Sequence, residues 1–443
     1  MMNFLKLFLL FTAVFFRAQD GFEITENKKT TVIPFQLINN LIFIPVELNG
    51  VPLTFLLDTG VAETILFSTD NKEINFKNIE KIKFSGLGGS LEIEGLKSIR
   101  NQLKIGKNFT DSSHTIFIIL DEDFNFSSHI GIPVNGIIGY YFFRNHPVSI
   151  NYITKKITVF EDEKALPKNI GKFQQLPITV EYNKPYVVAD VEMKNEKNSS
   201  KLLLDLGNSD ALWLFPALIK DFVYNRPNIE DFLGRGFNGD VYGKRSRIHH
   251  FYLGNFKFEK PLMAMPDEFS IQHVNLVKDR KGSVGSEILR RFNIIFDYEN
   301  KKMYLRKNKN YGDDFHFNMS GIDFKHDGVK WEEEMVKVET PTKNDNAGNE
   351  VNVIANPFQY KFVLKPIYSV AGIRKDSPAF KAGLMKGDQI LSINGKKTSS
   401  MSLNQINDLM KSEEGKFIEI KATRNTLTLT FSFNLEDPIP YRE

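Results

Sequence analysis

Through roughly the first three hundred residues, apolar and polar side chains alternate with period two, a spacing that predicts strands. Thr31-Val32-Ile33-Pro34-Phe35-Gln36-Leu37 and Leu41-Ile42-Phe43-Ile44-Pro45-Val46-Glu47-Leu48 carry it early in the chain, and Leu176-Pro177-Ile178-Thr179-Val180 and Val187-Val188-Ala189-Asp190-Val191 carry it again later. Each set leads into a short apolar run that ends on a carboxylate and then a glycine. The first is Leu53-Thr54-Phe55-Leu56-Leu57-Asp58-Thr59-Gly60, and the second is Leu202-Leu203-Leu204-Asp205-Leu206-Gly207. A single Asp-x-Gly after a strand is ordinary turn chemistry.

The landmarks around the two acids fall in one register. Gly86-Leu87-Gly88-Gly89 begins 28 residues after Asp58, and Gly234-Arg235-Gly236 begins 29 after Asp205. An apolar-Gly step ends at Gly139, 81 residues after Asp58, and its counterpart ends at Gly285, 80 after Asp205. Both steps lead into paired strand patterns, 143–159 and 292–305. Agreement at three landmarks implies an internal duplication. A duplicated domain with one strand-end acid per copy brings two carboxylates together across a pseudo-twofold axis. Like-charge repulsion then splits their titration, so one acts as acid while the other acts as base.

Asp58-Thr59-Gly60-Val61-Ala62-Glu63-Thr64-Ile65-Leu66, with the Gly-rich tip at 86–89, resembles the aspartic proteases, particularly their retropepsin-like branch, over roughly residues 30 to 308. The resemblance implies two β-lobes, a catalytic dyad of Asp58 and Asp205, and a flap tip at Gly86, Leu87, Gly88 and Gly89 that closes on an extended peptide. It also implies that Ile138-Gly139 and Val284-Gly285 support the dyad, and that no metal or organic cofactor is needed. Thr59, Gly60 and Gly207 would brace the carboxylates. Leu206 departs from the family, which has a Thr or Ser hydroxyl there. Ser209 is the expected substitute, as a hydroxyl two residues after the Gly serves in the pepsin-like branch. The departure leaves two readings open: a working endopeptidase, or a peptide-binding scaffold that has lost hydrolysis.

Beyond a polar boundary near 307–314, Asp376-Ser377-Pro378-Ala379-Phe380-Lys381-Ala382-Gly383-Leu384-Met385-Lys386-Gly387-Asp388-Gln389-Ile390-Leu391-Ser392-Ile393-Asn394-Gly395 resembles the PDZ domain of bacterial proteases. That resemblance implies capture of a peptide end, with Gly321, Ile322 and Phe324 forming the carboxylate loop. The helix expected over 403–411 would flank the groove, with Ile406 and Met410 serving either as pocket or as core residues. The polar stretch 330–356 is expected to be disordered or a hairpin insertion.

Composition narrows the partners. The net charge of +3 over 443 residues is nearly balanced, with no basic stripe, which argues against nucleic acid. The absence of Cys removes thiol catalysis, disulfides and lipid attachment at a cysteine. Lys6, the apolar run Leu7–Phe16 and Ala18 read as a signal peptide over 1–18, too short for a comfortable membrane span, although Phe16 and Arg17 fit the cleavage site poorly. The expectation is therefore an exported monomer, periplasmic or secreted, acting on peptide or protein substrates. It is mainly β, with pseudo-symmetric lobes at 19–165 and 166–309, an α+β PDZ-like domain at 315–435 and a tail at 436–443. Gly234-Arg235-Gly236-Phe237-Asn238-Gly239 lacks the strand-and-helix setting of a dinucleotide loop. His249 and His250 are expected on opposite faces of a strand with no accompanying carboxylate, and so are not expected to be metal ligands.

Overall fold

The computed structural model of the protein describes residues 21–84, 93–119, 127–193, 196–216, 226–236, 239–271, 276–337, 342–344, 350–352 and 358–441. The signal-peptide reading and the Gly86–Gly89 tip lie outside these residues. Among the described residues no helix is long and apolar enough to cross a membrane.

The duplicated strand patterns meet in one antiparallel sheet of six strands. Its order is Gln174–Pro177, Lys302–Lys307, Phe292–Asp297, Val148–Asn151, Lys156–Phe160 and Thr30–Pro34. The central pair comes from equivalent places in the two copies, with Val148 opposite Phe296 and Ile150 opposite Ile294. The pseudo-twofold axis therefore runs between these two strands, and the opening strand of each copy lies at an outer edge. Each copy also builds its own larger sheet, around Val51–Leu57 in the first lobe and Glu196–Asp205 in the second. One apolar cluster, including Ile44, Phe55, Ile150, Leu204, Ile294 and Phe296, runs through both lobes. The connection near 165 thus separates two lobes that share a single core.

The C-terminal sheet is Ile322–Lys337, Phe358–Ile373, Gln389–Ile393, Phe417–Arg424 and Leu427–Asn434, and it has a separate core. Its helix Leu403–Met410 starts in a reciprocal cap between Ser402 and Gln405. Ile406 and Met410 are fully buried in that core, which settles their role as packing residues. Of the polar stretch 330–356, residues 330–337 belong to an arm in which Ile322–Lys337 pairs with Phe358–Ile373, and 338–341, 345–349 and 353–356 lie outside the described residues.

Arg291 fixes the junction between the lobes and this domain. It is only 1% exposed. Its guanidinium donates to Glu287 Oε1 at 2.8 Å and to the backbone carbonyls of Glu287, Tyr311, Asp313 and Asp314, and it stacks 3.9 Å from the Phe315 ring. The polar connector is thus strapped to the second lobe, not left as a free linker. The tail also packs back: Ile439 is buried, and its carbonyl accepts from Arg247 Nε at 3.0 Å. Replacing Arg291 by Ala strips several buried carbonyls of their donor and should lower stability by about 3–5 kcal/mol, read as a fall in the urea unfolding midpoint.

Candidate active site

Asp58 and Asp205 each sit where a central strand of a lobe runs out. Asp58 follows Val51–Leu57, which pairs antiparallel with Leu41–Leu48 and parallel with Gly136–Ile138. Its N–H donates to Ile138 O at 2.9 Å. Asp205 ends Glu196–Asp205, which pairs antiparallel with Lys184–Met193 and parallel with Arg280–Gly285, placing Gly285 opposite Asp205. The apolar-Gly steps have a steric cause. A Cβ on Gly139 would strike the carbonyls of Val61 and Asp58, and one on Gly285 those of Asp210 and Asn208.

The two loops converge across the axis. Gly60 N–H donates to Asp58 Oδ1 at 2.6 Å, and Gly207 N–H to Asp205 Oδ1 at 3.1 Å. A Cβ on Gly60 would lie 2.9 Å from Asp205 Oδ1 and 3.0 Å from Asp58 Oδ1. The two oxygens therefore flank one point and are no farther apart than those distances combined. A Cβ on Gly207 would collide with the Asp58 carboxylate. Glycine at both positions is what lets each acid reach the opposite loop.

Thr59 makes half of a symmetric brace. Its buried hydroxyl donates to Leu204 O at 2.6 Å and accepts from Leu206 N at 2.9 Å, tying the loops together across the axis. Leu206 is fully buried and has no hydroxyl with which to return these bonds. The expected substitute does not act as one. Among the described residues the Ser209 hydroxyl makes no hydrogen bond to Asp205, while the Ser209 carbonyl accepts from Asn40 Nδ2 at 3.0 Å. Ser286 Oγ instead donates to Leu206 O at 3.0 Å. The second loop is held through its backbone and by apolar packing of Leu206.

Burial and mutual repulsion set the charge state of the pair. Loss of solvent first, and the Asp205 charge second, push the Asp58 carboxyl up to about 8. Burial also raises Asp205, but Arg280, Lys184 and a hydrogen bond from Asp58 oppose that rise. Lys184 opposes the rise at both acids, whereas Arg280 opposes it at Asp205, so the surroundings favour Asp205 as the carboxylate of the pair.

Sequence reasoning missed the supports around the dyad. Behind the first loop, Thr64 Oγ1, His114 and Asp111 form a buried chain, with contacts of 2.8 Å from His114 Nε2 to Thr64 and 2.6 Å from Nδ1 to Asp111. In the second lobe Arg245 pairs with both Asp210 and Asp231. Thr64, His114 and Asp111 are single polar letters within strand patterns, and no spacing marks them. Strand Ile79–Phe84 pairs antiparallel with Ile93–Ile105, and Ile229–Gly236 pairs antiparallel with Gly239–Arg247 at the Gly234 motif.

The PDZ-like domain departs from the expected peptide site. Asn318 Oδ1 already accepts from Ser320 N and Gly321 N, and Ser320 Oγ accepts from Ile322 N. Ile322 and Phe324 side chains lie in the domain core. The loop expected to receive a carboxylate is satisfied from within, because Asn318, just outside the recognised motif, supplies the acceptor. Both walls of the groove also meet the first lobe. Helix Ser127–Ile130 lies against strand Ile322–Lys337, Gly131 packs on Leu403, and Asn39 N donates to Asn404 Oδ1 at 2.9 Å. The histidine expectation also needs correcting. His249 sits at a bend before strand His250–Leu253, so strand alternation does not separate the rings; they lie 4.0 Å apart, beside Glu192.

Comparison with known families agrees with this architecture. The family model for aspartyl proteases matches residues 44–142, and that for the PDZ domain matches 369–424. The first lobe is thus similar to the aspartyl protease family and the C-terminal domain to the PDZ family. No curated protein matches it.

The raised carboxyl has a signed consequence for stability. Below the usual Asp range both folded and unfolded chains hold the proton at position 58. As pH rises toward 8 the unfolded chain ionises while the folded one resists, so this group's contribution is lost. Asp58→Asn should therefore raise the thermal unfolding midpoint relative to the native chain by an amount that grows from pH 4 to pH 8, measured by calorimetry.

Proposed function

We propose that the protein is an exported aspartic endopeptidase that cuts extended peptides with water activated by Asp58 and Asp205. The observation that carries this reading is the convergence of two buried carboxylates on one point, with environments that assign them opposite protonation states. Ionised Asp205 accepts a proton from a water placed between the acids as its oxygen bonds to the amide carbon. Asp58 passes its proton to the carbonyl oxygen, giving a neutral tetrahedral diol. Asp205 then returns its proton to the amide nitrogen, and as the C–N bond breaks one diol hydroxyl gives its proton back to Asp58, which leaves a carboxylic acid and an amine and restores the pair. Export rests on the N-terminal apolar run. The contacts of the PDZ groove with the first lobe favour regulation of the protease over simple recruitment of substrate.

One observation supports the second reading, a scaffold that grips peptides without cutting them: Leu206 leaves the brace one-sided. Incubating the purified protein with an unfolded polypeptide from about pH 3 to 9 separates the two. Cleavage blocked by a statine-type inhibitor supports the peptidase, whereas binding without products supports the scaffold. Asp58→Asn and Asp205→Asn should each abolish cleavage while circular dichroism stays native, and the alkaline limb of kcat against pH should fall near pH 8, where Asp58 loses its proton.

Restoring the missing hydroxyl tests the brace directly. Leu206→Thr should raise kcat about fivefold, the equivalent of one net hydrogen bond of about 1 kcal/mol. Lost apolar packing should lower stability by about 1–3 kcal/mol. An unchanged or lower kcat would mean that the one-sided brace is sufficient.

A further inference from the structure

Glu192, His249 and His250 bring one carboxylate and two imidazoles together on the second lobe, away from the dyad loops. The ligand-capable atoms of all three lie within 4.8 Å of one another. We propose that they form a zinc site that clamps the C-terminal tail to the sheet of the second lobe.

The backbone first brings the residues together. Glu192 and His250 are directly opposed in adjacent strands. His249 N–H donates to Glu192 O at 3.1 Å, and its carbonyl accepts from Lys260 N at 2.9 Å, which holds the bend. The two rings are nearly perpendicular at 77°, so both present nitrogens to the same carboxylate. Glu192 Oε1 lies 3.2 Å from His250 Nδ1 and 3.9 Å from His249 Nε2. A tetrahedral zinc with bonds of about 2.0–2.2 Å sets ligand atoms about 3.3–3.6 Å apart, and the two observed separations bracket that spacing. His250 Nδ1 is buried and makes no hydrogen bond despite the nearby oxygen. An imidazole nitrogen and a carboxylate oxygen held close but poorly aligned for a hydrogen bond are well suited to a cation between them.

The outer partners are those a metal site requires. Tyr441 OH is 2.5 Å from His249 Nδ1, which leaves Nε2 directed at the carboxylate. Tyr252 OH donates to Glu192 Oε2 at 2.7 Å, which leaves Oε1 for the cluster. Such contacts fix tautomer and orientation before the ion arrives. Two imidazoles and a carboxylate form a donor set suited to zinc and not to calcium or magnesium. Lys197 and Lys260 are nearby but packed on the rings of Tyr252 and Tyr441. Their charges oppose a bare dication, so the affinity should be micromolar, with hydroxide or a carboxylate completing the shell. Through Tyr441 the site bears on the tail, and with it on the attachment of the PDZ domain.

The test uses tag-free full-length protein, stripped with chelator and titrated with zinc chloride by calorimetry. One equivalent should bind and raise the thermal midpoint, magnesium should not compete, and both His250→Ala and the near-isosteric Glu192→Gln should weaken binding at least tenfold. Tyr441→Phe should retain the stoichiometry but lose part of the thermal shift. Absence of saturable binding, or equal binding by folded Glu192→Gln and His250→Ala proteins, would overturn the proposal.

Discussion

Two carboxylates are held together in a place where neither is well solvated. Left alone, Asp58 and Asp205 would turn outward to water. The fold prevents this by ending a central strand of each lobe at the acid, covering the turn with a second parallel strand, and using glycine where the opposite acid approaches. The shared six-stranded sheet fixes the relation between the lobes, so the strain of like charges is borne by an apolar core that spans both. The proton on Asp58 is the chemical result of that confinement: burial makes a second negative charge more costly than keeping the acid neutral.

Much of this was legible as letters because duplication leaves a register. Asp58 and Asp205, the apolar-Gly steps ending at Gly139 and Gly285, and the paired strands after them recur at matching offsets, and steric demands explain why those residues stand there. Supports that need only one copy were not legible. Leu206 revealed a missing hydroxyl, yet the string could not show that Ser209 turns elsewhere while Ser286 bonds the loop. The His249 reading failed because alternation applies only inside a strand, and that residue lies one position before it. The PDZ loop misled for a related reason. Its motif names the residues that bend the backbone, whereas Asn318, which fills the bend, precedes the motif.

Arginine side chains also serve assembly outside the dyad. Arg291 gathers carbonyls of the connector that would otherwise need water, and Arg247 does the same for the tail, Lys260 and Phe315. Both arginines belong to the second lobe, and between them they hold the connector and the tail. Polar connectors in the sequence are therefore ordered by cations whose planar donors match several carbonyls at once.

The contact between the first lobe and the PDZ groove has a thermodynamic price for any visitor. A peptide that needs both the strand at Ile322 and the helix at Leu403 engages only molecules in which these walls have parted from Gly131 and Asn39, and its apparent affinity is diluted by the rarity of that open form. Ile130, in the helix lying on that strand, belongs to the apolar cluster of Leu56, Ile65 and Ile137 beside the Asp58 loop. A helix that touches both the PDZ-like domain and the residues beside the Asp58 loop is a physical link between the two. Any free-energy coupling carried by such a link acts with equal size in both directions.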